Sequence, residues 1–127
     1  MSISKNNSLL VSLLFILSCS DNVLLKENDL EKYPWLSPFM KEINYTNFQG
    51  SHNIDLGILD FSCSISSKRT NNTLLLHLDS IANTNRWDTL LKKDCERTYS
   101  KFISKKDYVV MQIKLDTKRD RLIFNIR

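Results

Sequence analysis

Glycine is scarce in this chain: two residues among 127, Gly50 and Gly57. A loop that cradles phosphate needs several glycines close together, so that the backbone can approach the ligand, and neither residue stands in such a setting. The common nucleotide-binding motifs are thereby excluded. The nucleophile elbow GxSxG, the zinc signature HExxH and the redox pair CxxC are missing as well. Histidine is equally rare, with His52 in a predicted polar loop and His77 on a predicted helix. Asp79 stands two positions from His77, and helix residues two apart do not face one another, so this pair makes no metal site. Also missing is any apolar run of about twenty residues, the length a helix needs to span a hydrocarbon core of about 30 Å.

The longest apolar run is short and comes early. Leu9 to Ser18 is preceded by Lys5 among polar serines and asparagines, and it ends on a small residue. A run of about ten residues reaches roughly 15 Å as a helix, half of a bilayer core. A charged start, a short apolar centre and a small residue at the close are the parts of a secretory signal. The four residues Ile16-Leu17-Ser18-Cys19 resemble the lipobox of bacterial lipoproteins: an aliphatic residue, a variable one, a small one, then cysteine. The resemblance implies removal of residues 1–18 and acylation of Cys19 on its thiol and new amino terminus. Two or more acyl chains hold a protein stably on a membrane, whereas one does so only marginally. Ser20 stands where an aspartate would favour retention at the inner membrane, so the resemblance points to the outer membrane. It covers only the first 20 or so residues and names no family for the rest.

With residues 1–18 removed, 109 residues remain, enough for one small domain. Charge is unevenly distributed. Residues 19–85 carry five Lys/Arg against eight Asp/Glu, and residues 86–127 carry twelve against six. The basic half offers Lys105, Lys106, Lys118, Arg119 and Arg121 as a possible contact surface, although these residues fall in or beside predicted turns, where charge is expected anyway. Nucleic acid is not an expected partner of an exported chain. Of the three cysteines, Cys63 and Cys95 remain once Cys19 carries lipid, and an even pair in an oxidising compartment permits a disulfide. Two separate thiols fit the spacing equally. Cys95 has Lys92, Lys93 and Arg97 nearby but Asp94 and Glu96 beside it, a mixed surface rather than a site that would activate a thiolate.

Along the mature chain, residues 19–33 read as the lipidated cysteine and a tether or loosely attached helix, and residues 34–127 as the domain. Pro34 and Pro38 break the following stretch. Ser37 and Pro38 suit the start of a short helix through Ile43, with Ser37 as N-cap. Tyr33, Trp35 and Phe39 are expected to latch this arm to the domain. Residues 44–57, rich in Asn and Gly, read as a loop. Leu59, Phe61, Cys63 and Ile65 alternate with polar residues, the period of a strand with one wet face. Leu74, Leu75, Leu78, Ile81 and Ala82 repeat at helical spacing, which predicts an amphipathic helix over 72–83 with Thr70 or Asn71 as cap. Strands are expected at 86–91, 95–103 (a helix also fits there), 109–115 and 122–127, the first two joined by a turn at Lys92-Lys93-Asp94.

The expected fold is therefore α+β: two layers, a mostly antiparallel sheet ending in a C-terminal strand meander, and one main packing helix. The expected function is that of a lipid-anchored envelope protein with no catalytic role and no cofactor or metal, binding another envelope protein. An inhibitor or immunity-type protein acting against an envelope hydrolase or toxin is the alternative.

Overall fold

The computed structural model describes residues 22–66 and 71–127. The signal segment, Cys19 and the expected capping residue Thr70 lie outside the described residues. Seven strands form one antiparallel sheet: β1 (Asn22–Leu24), β2 (Tyr45–Asn53), β3 (Ile58–Ile65), β4 (Asp88–Lys93), β5 (Glu96–Phe102), β6 (Tyr108–Asp116) and β7 (Arg121–Ile126), in the order β1-β2-β3-β7-β6-β5-β4. Helices α1 (Ser37–Glu42) and α2 (Asn71–Thr84), with two 3₁₀ segments at Glu27–Lys32 and Pro34–Leu36, complete an α+β fold.

The C-terminal meander is present as four consecutive neighbouring strands, β4 to β7. Its last member closes on β3, with Phe61 opposite Phe124 and their rings stacked 4.5 Å apart. Every neighbouring pair is antiparallel, so β3 and β4 run the same way, and α2 carries the chain from one to the other. Alternation decides the faces. Leu59, Phe61, Cys63, Met111, Ile113, Leu122, Phe124 and Ile126 are buried on one face together with Leu74, Leu75 and Leu78 of α2. The opposite face carries Ser62, Ser64, Thr98, Gln112, Ile123 and Asn125, all half-buried.

Three expectations are corrected. Residues 44–57 are not a loop: β2 occupies Tyr45–Asn53, and only 54–57 turn. Its pattern is obscured by a register shift between Thr46 and Gln49, where Asn47 takes a φ of 51°. Gly50 follows, pressed so close to β3 that a Cβ there would meet Phe61 Cβ at 2.5 Å. Residues 22–33 are not a free tether either. β1 pairs with β2, Leu25 is buried and its N–H donates to the Gly50 carbonyl, and the 3₁₀ turn that follows packs Leu30 against the core. Ser37 is the first residue of α1 rather than its cap, because the turn at Pro34–Leu36 runs directly into the helix; Leu36 takes the cap position, with no side-chain bond.

Smaller shifts occur in the meander. Lys92 and Lys93 finish β4, and the turn is Asp94-Cys95. A slip between Thr89 and Leu91 places Leu91 opposite Thr98, off the side of Trp87 and Thr89. Residues 96–102 are strand, so the helical reading of that stretch falls away. The aromatic arm docks as expected. Trp35 and Phe39 lie 5.9 and 5.7 Å from Trp87, and Phe39 lies 5.9 Å from Tyr99. Burying Phe39 completely stabilises the fold by about 2 kcal/mol.

Candidate functional site

The densest polar cluster joins α2 to the sheet. Asp79 projects from α2 toward β4 and β5. Arg97 Nε donates to both of its oxygens, at 2.9 and 3.1 Å, and the Tyr99 hydroxyl donates to Oδ1 at 2.6 Å. Lys92 Nζ approaches Oδ2 at 3.5 Å. Arg97 also donates to the Lys93 and Glu96 carbonyls. Alternation explains the convergence, since Arg97 and Tyr99 are two apart on β5 and share its inner face. Burial, then the bond to Asp79, pushes the Tyr99 phenol above its ordinary range. Tyr99 is fully buried and Arg97 is 4% exposed, so no substrate reaches either group. Chemically this cluster is a clamp. The one sequence signal for it is the spacing of Arg97 and Tyr99, two apart on a strand; nothing in the sequence pairs Asp79 with them.

His77 instead meets Glu42 of α1, Nε2 to Oε2 at 3.3 Å. His52 is not in a loop; it is 5% exposed on β2, with its Nδ1 3.4 Å from the Tyr33 hydroxyl. Among the described residues no three His, Cys, Asp or Glu side chains gather as metal ligands. No described helix is long and apolar enough to cross a membrane.

Of the two arrangements the spacing left open, the structure has the separate thiols: both cysteines are free. Cys63 is buried in the sheet and Cys95 is exposed at the β4–β5 turn. They lie across the same row of strands: Cys63 opposes Leu122, Leu122 opposes Leu115, and the Leu115 N–H donates to the Cys95 carbonyl at 2.8 Å. Three inter-strand spacings come to about 14 Å, against the Cα separation of at most about 7 Å that a disulfide tolerates. Burial pushes the Cys63 thiol up to about 11, far from a reactive thiolate.

The five basic residues expected to form one contact surface fall into two groups. Lys105 and Lys106 occupy the β5–β6 turn, while Lys118, Arg119 and Arg121 sit at or beside the β6–β7 turn. The whole of β6 lies between the groups, nine residues or roughly 30 Å. Arg121 is further committed to the sheet, donating to Ser62 Oγ at 2.8 Å, Ser64 Oγ at 3.0 Å and the Asn47 carbonyl at 3.2 Å.

What remains open is the polar face. One groove of about 950 Å³ runs over β2, β3 and β7, lined in part by Leu24, Gln49, Ser51, Ser62, Ile123 and Asn125. A second, of about 510 Å³, lies over β5, β6 and β7 between Thr98, Gln112, Lys114, Asn125 and Arg127. Asn125 belongs to both. Amides and hydroxyls on this face are interspersed with charged side chains, among them Asp60, Lys114 and Arg127, so it can offer a partner both neutral hydrogen bonds and charge. Ser100, fully buried between Asp88 and Val110, keeps an Oγ with no partner among the described residues.

No family model matches the chain, and neither a curated protein nor a solved structure does.

Proposed function

We propose that this is a lipid-anchored envelope protein whose domain binds another envelope protein and performs no catalysis. The observation that carries the reading is the order Lys5, apolar Leu9 to Leu17, Ser18, Cys19 at the start of the chain. An open face with grooves on both sides of Asn125, lined by hydroxyls, amides and a few charged side chains, supports binding. The clamp at Asp79 supports the finer architecture, a two-layer domain with α2 as its main packing helix across the sheet. The outer membrane is the favoured location, from Ser20.

Two measurements test this. Intact mass of the protein extracted from its native membrane should correspond to a chain beginning at Cys19 plus acyl chains. Crosslinking from Gln112 or Asn125, followed by detergent extraction, should capture one saturable protein partner. A full-length, unacylated mass removes the anchor, and an absent partner removes the binding role. If the captured partner is a hydrolase or toxin that loses activity in the complex, the inhibitor or immunity-type reading takes over.

A further inference from the structure

The large apolar side chains that the described residues expose are gathered at one end of the sheet. Nine are exposed, and seven of them belong to three pieces at that end. Val23 and Leu24 are on β1, Ile54 and Leu56 are on the β2–β3 turn, and Phe102, Ile103 and Tyr108 flank the β5–β6 turn. The register puts these pieces together. Asn22 opposes Asn53, Leu59 opposes Ile126, and Phe102 opposes Tyr108, so β1 begins at the end of the sheet where both turns emerge. From β1 to β5 the row crosses five inter-strand spacings, roughly 24 Å. Ile54 and Leu56 are 68% and 69% exposed, and Phe102 is 66% exposed with its ring 4.7 Å from Tyr108. At the opposite end the turns at 94–95 and 117–120 carry charge and none of these side chains.

The chain enters the sheet at this same end. Asn22 is three residues beyond Cys19, and three residues reach at most about 11 Å. We propose that this end is the membrane-contacting face of the domain, with Ile54, Leu56 and Phe102 lying in the interfacial zone of a phospholipid bilayer. The proposal rests on the lipid-anchor reading for its orientation. Apolar tips on separate turns suit a deformable lipid surface, whereas a protein partner calls for one contiguous packed patch. Charge contributes less: Arg86, Lys101, Lys105, Lys106 and Arg127 stand at this end against Asp55, Asp88 and Asp107. Lys101 is already bonded to the Asn85 carbonyl and Asp107 to Ser104. The contact should therefore survive salt that would screen a purely electrostatic one.

The test uses the protein extracted from its own membrane and reconstituted into protein-free vesicles of phosphatidylethanolamine and phosphatidylglycerol containing brominated lipid. Tryptophan replaces Leu56, Phe102 or, as the control at the far end, Arg119, one at a time, and each signal is read after subtraction of the parent protein's, which carries the native Trp35 and Trp87. The proposal expects quenching of the Leu56→Trp and Phe102→Trp signals at least twofold above that of Arg119→Trp, unchanged in 0.5 M salt. Equal quenching at all three positions overturns it. So does protection of Phe102→Trp in native membranes without quenching in protein-free vesicles, because a protein then covers this end. Intact mass of the same samples reports acylation separately. An acylated chain with unquenched tips sinks the proposal and leaves the anchor standing. For an unacylated chain, the same comparison with vesicles added from outside decides the contact on its own.

Discussion

Arg97 and Asp79 meet through a forked contact, Nε to Oδ1 at 2.9 Å and to Oδ2 at 3.1 Å, which ties the fifth strand to the long helix. Arg97 is almost fully buried, so its charge is compensated mainly by this carboxylate. Removing one partner of such a pair leaves the other desolvated and unpaired. Asp79→Ala should lower unfolding free energy by about 3–5 kcal/mol, and Tyr99→Phe by only about 1 kcal/mol. In the double variant the two effects should fall short of their sum, since both act through one carboxylate. Urea denaturation of the three variants checks this.

Gly50 and Gly57 should respond differently to alanine. At Gly50 the added Cβ meets Phe61 Cβ at 2.5 Å and the Asp60 carbonyl oxygen at 2.8 Å, so β2 must move away from β3. The expected cost is about 2–3 kcal/mol. Gly57 has a φ of +66° with nothing within 4 Å of the new atom. Only left-handed backbone strain remains there, about 1 kcal/mol. Thermal unfolding of both variants should rank them in this order, and an equal loss would contradict the close strand approach.

Stability should decline on the alkaline side from about pH 9. Burial raises the Cys63 thiol from 9.0 to about 11. Burial, then the Glu27 carboxylate, raises Tyr45 from 10.0 to about 12, and Tyr99 is raised as well. A raised folded-state value means that the native state holds its proton more tightly than the unfolded chain does. The stabilisation is therefore complete below the unfolded value and is lost as pH climbs through the folded one. For Cys63 that window is pH 9 to 11 and the loss about 2–3 kcal/mol. Unfolding curves for the parent and Cys63→Ala should converge across this window.

Native alkylation should modify Cys95 and spare Cys63 until the protein is unfolded. Mass spectrometry before and after denaturant reads both steps. A protein that resists alkylation in denaturant until it is reduced would contradict the separation of the two thiols across three strands.

The basic residues should also divide. Lys105→Ala, Lys106→Ala, Lys118→Ala and Arg119→Ala change exposed turn residues and should alter stability by no more than about 0.5 kcal/mol. Arg121→Ala removes three hydrogen bonds across β7, β3 and the Asn47 bulge, and should cost about 1–2 kcal/mol. Chemical denaturation of the five variants separates the two behaviours.

Much of the sheet could be read from alternation. β3, β6 and β7 bury every second residue, and the Leu74–Leu78–Ile81 spacing of α2 is equally plain. β2 escaped because its inner positions are Phe48, Gly50 and His52, and a bulge at Asn47 breaks the period between Tyr45 and Gln49. β1 is three residues long, too short for any period to show, and its pairing with β2 is a tertiary fact. The same limit applies to the polar residues. Spacing put Arg97 and Tyr99 on one side of a strand, but which helix residue they would find depends on where α2 crosses. The thiols stayed undecided and the two basic turns were grouped together for a related reason: distance in sequence says little about which end or which strand of a sheet a residue reaches.

The pairing of β3 with β7 has a consequence in time. β3 begins at residue 58 and its partner spans residues 121–126, so the two halves of the sheet stay unjoined until that strand has been synthesised. Before that point β3 has an open edge where β7 will lie, and α2 has no complete surface to settle on. Closure across so long a separation is slow. The two halves therefore join only when the six residues of β7 have arrived, however early β2 and β3 pair with each other.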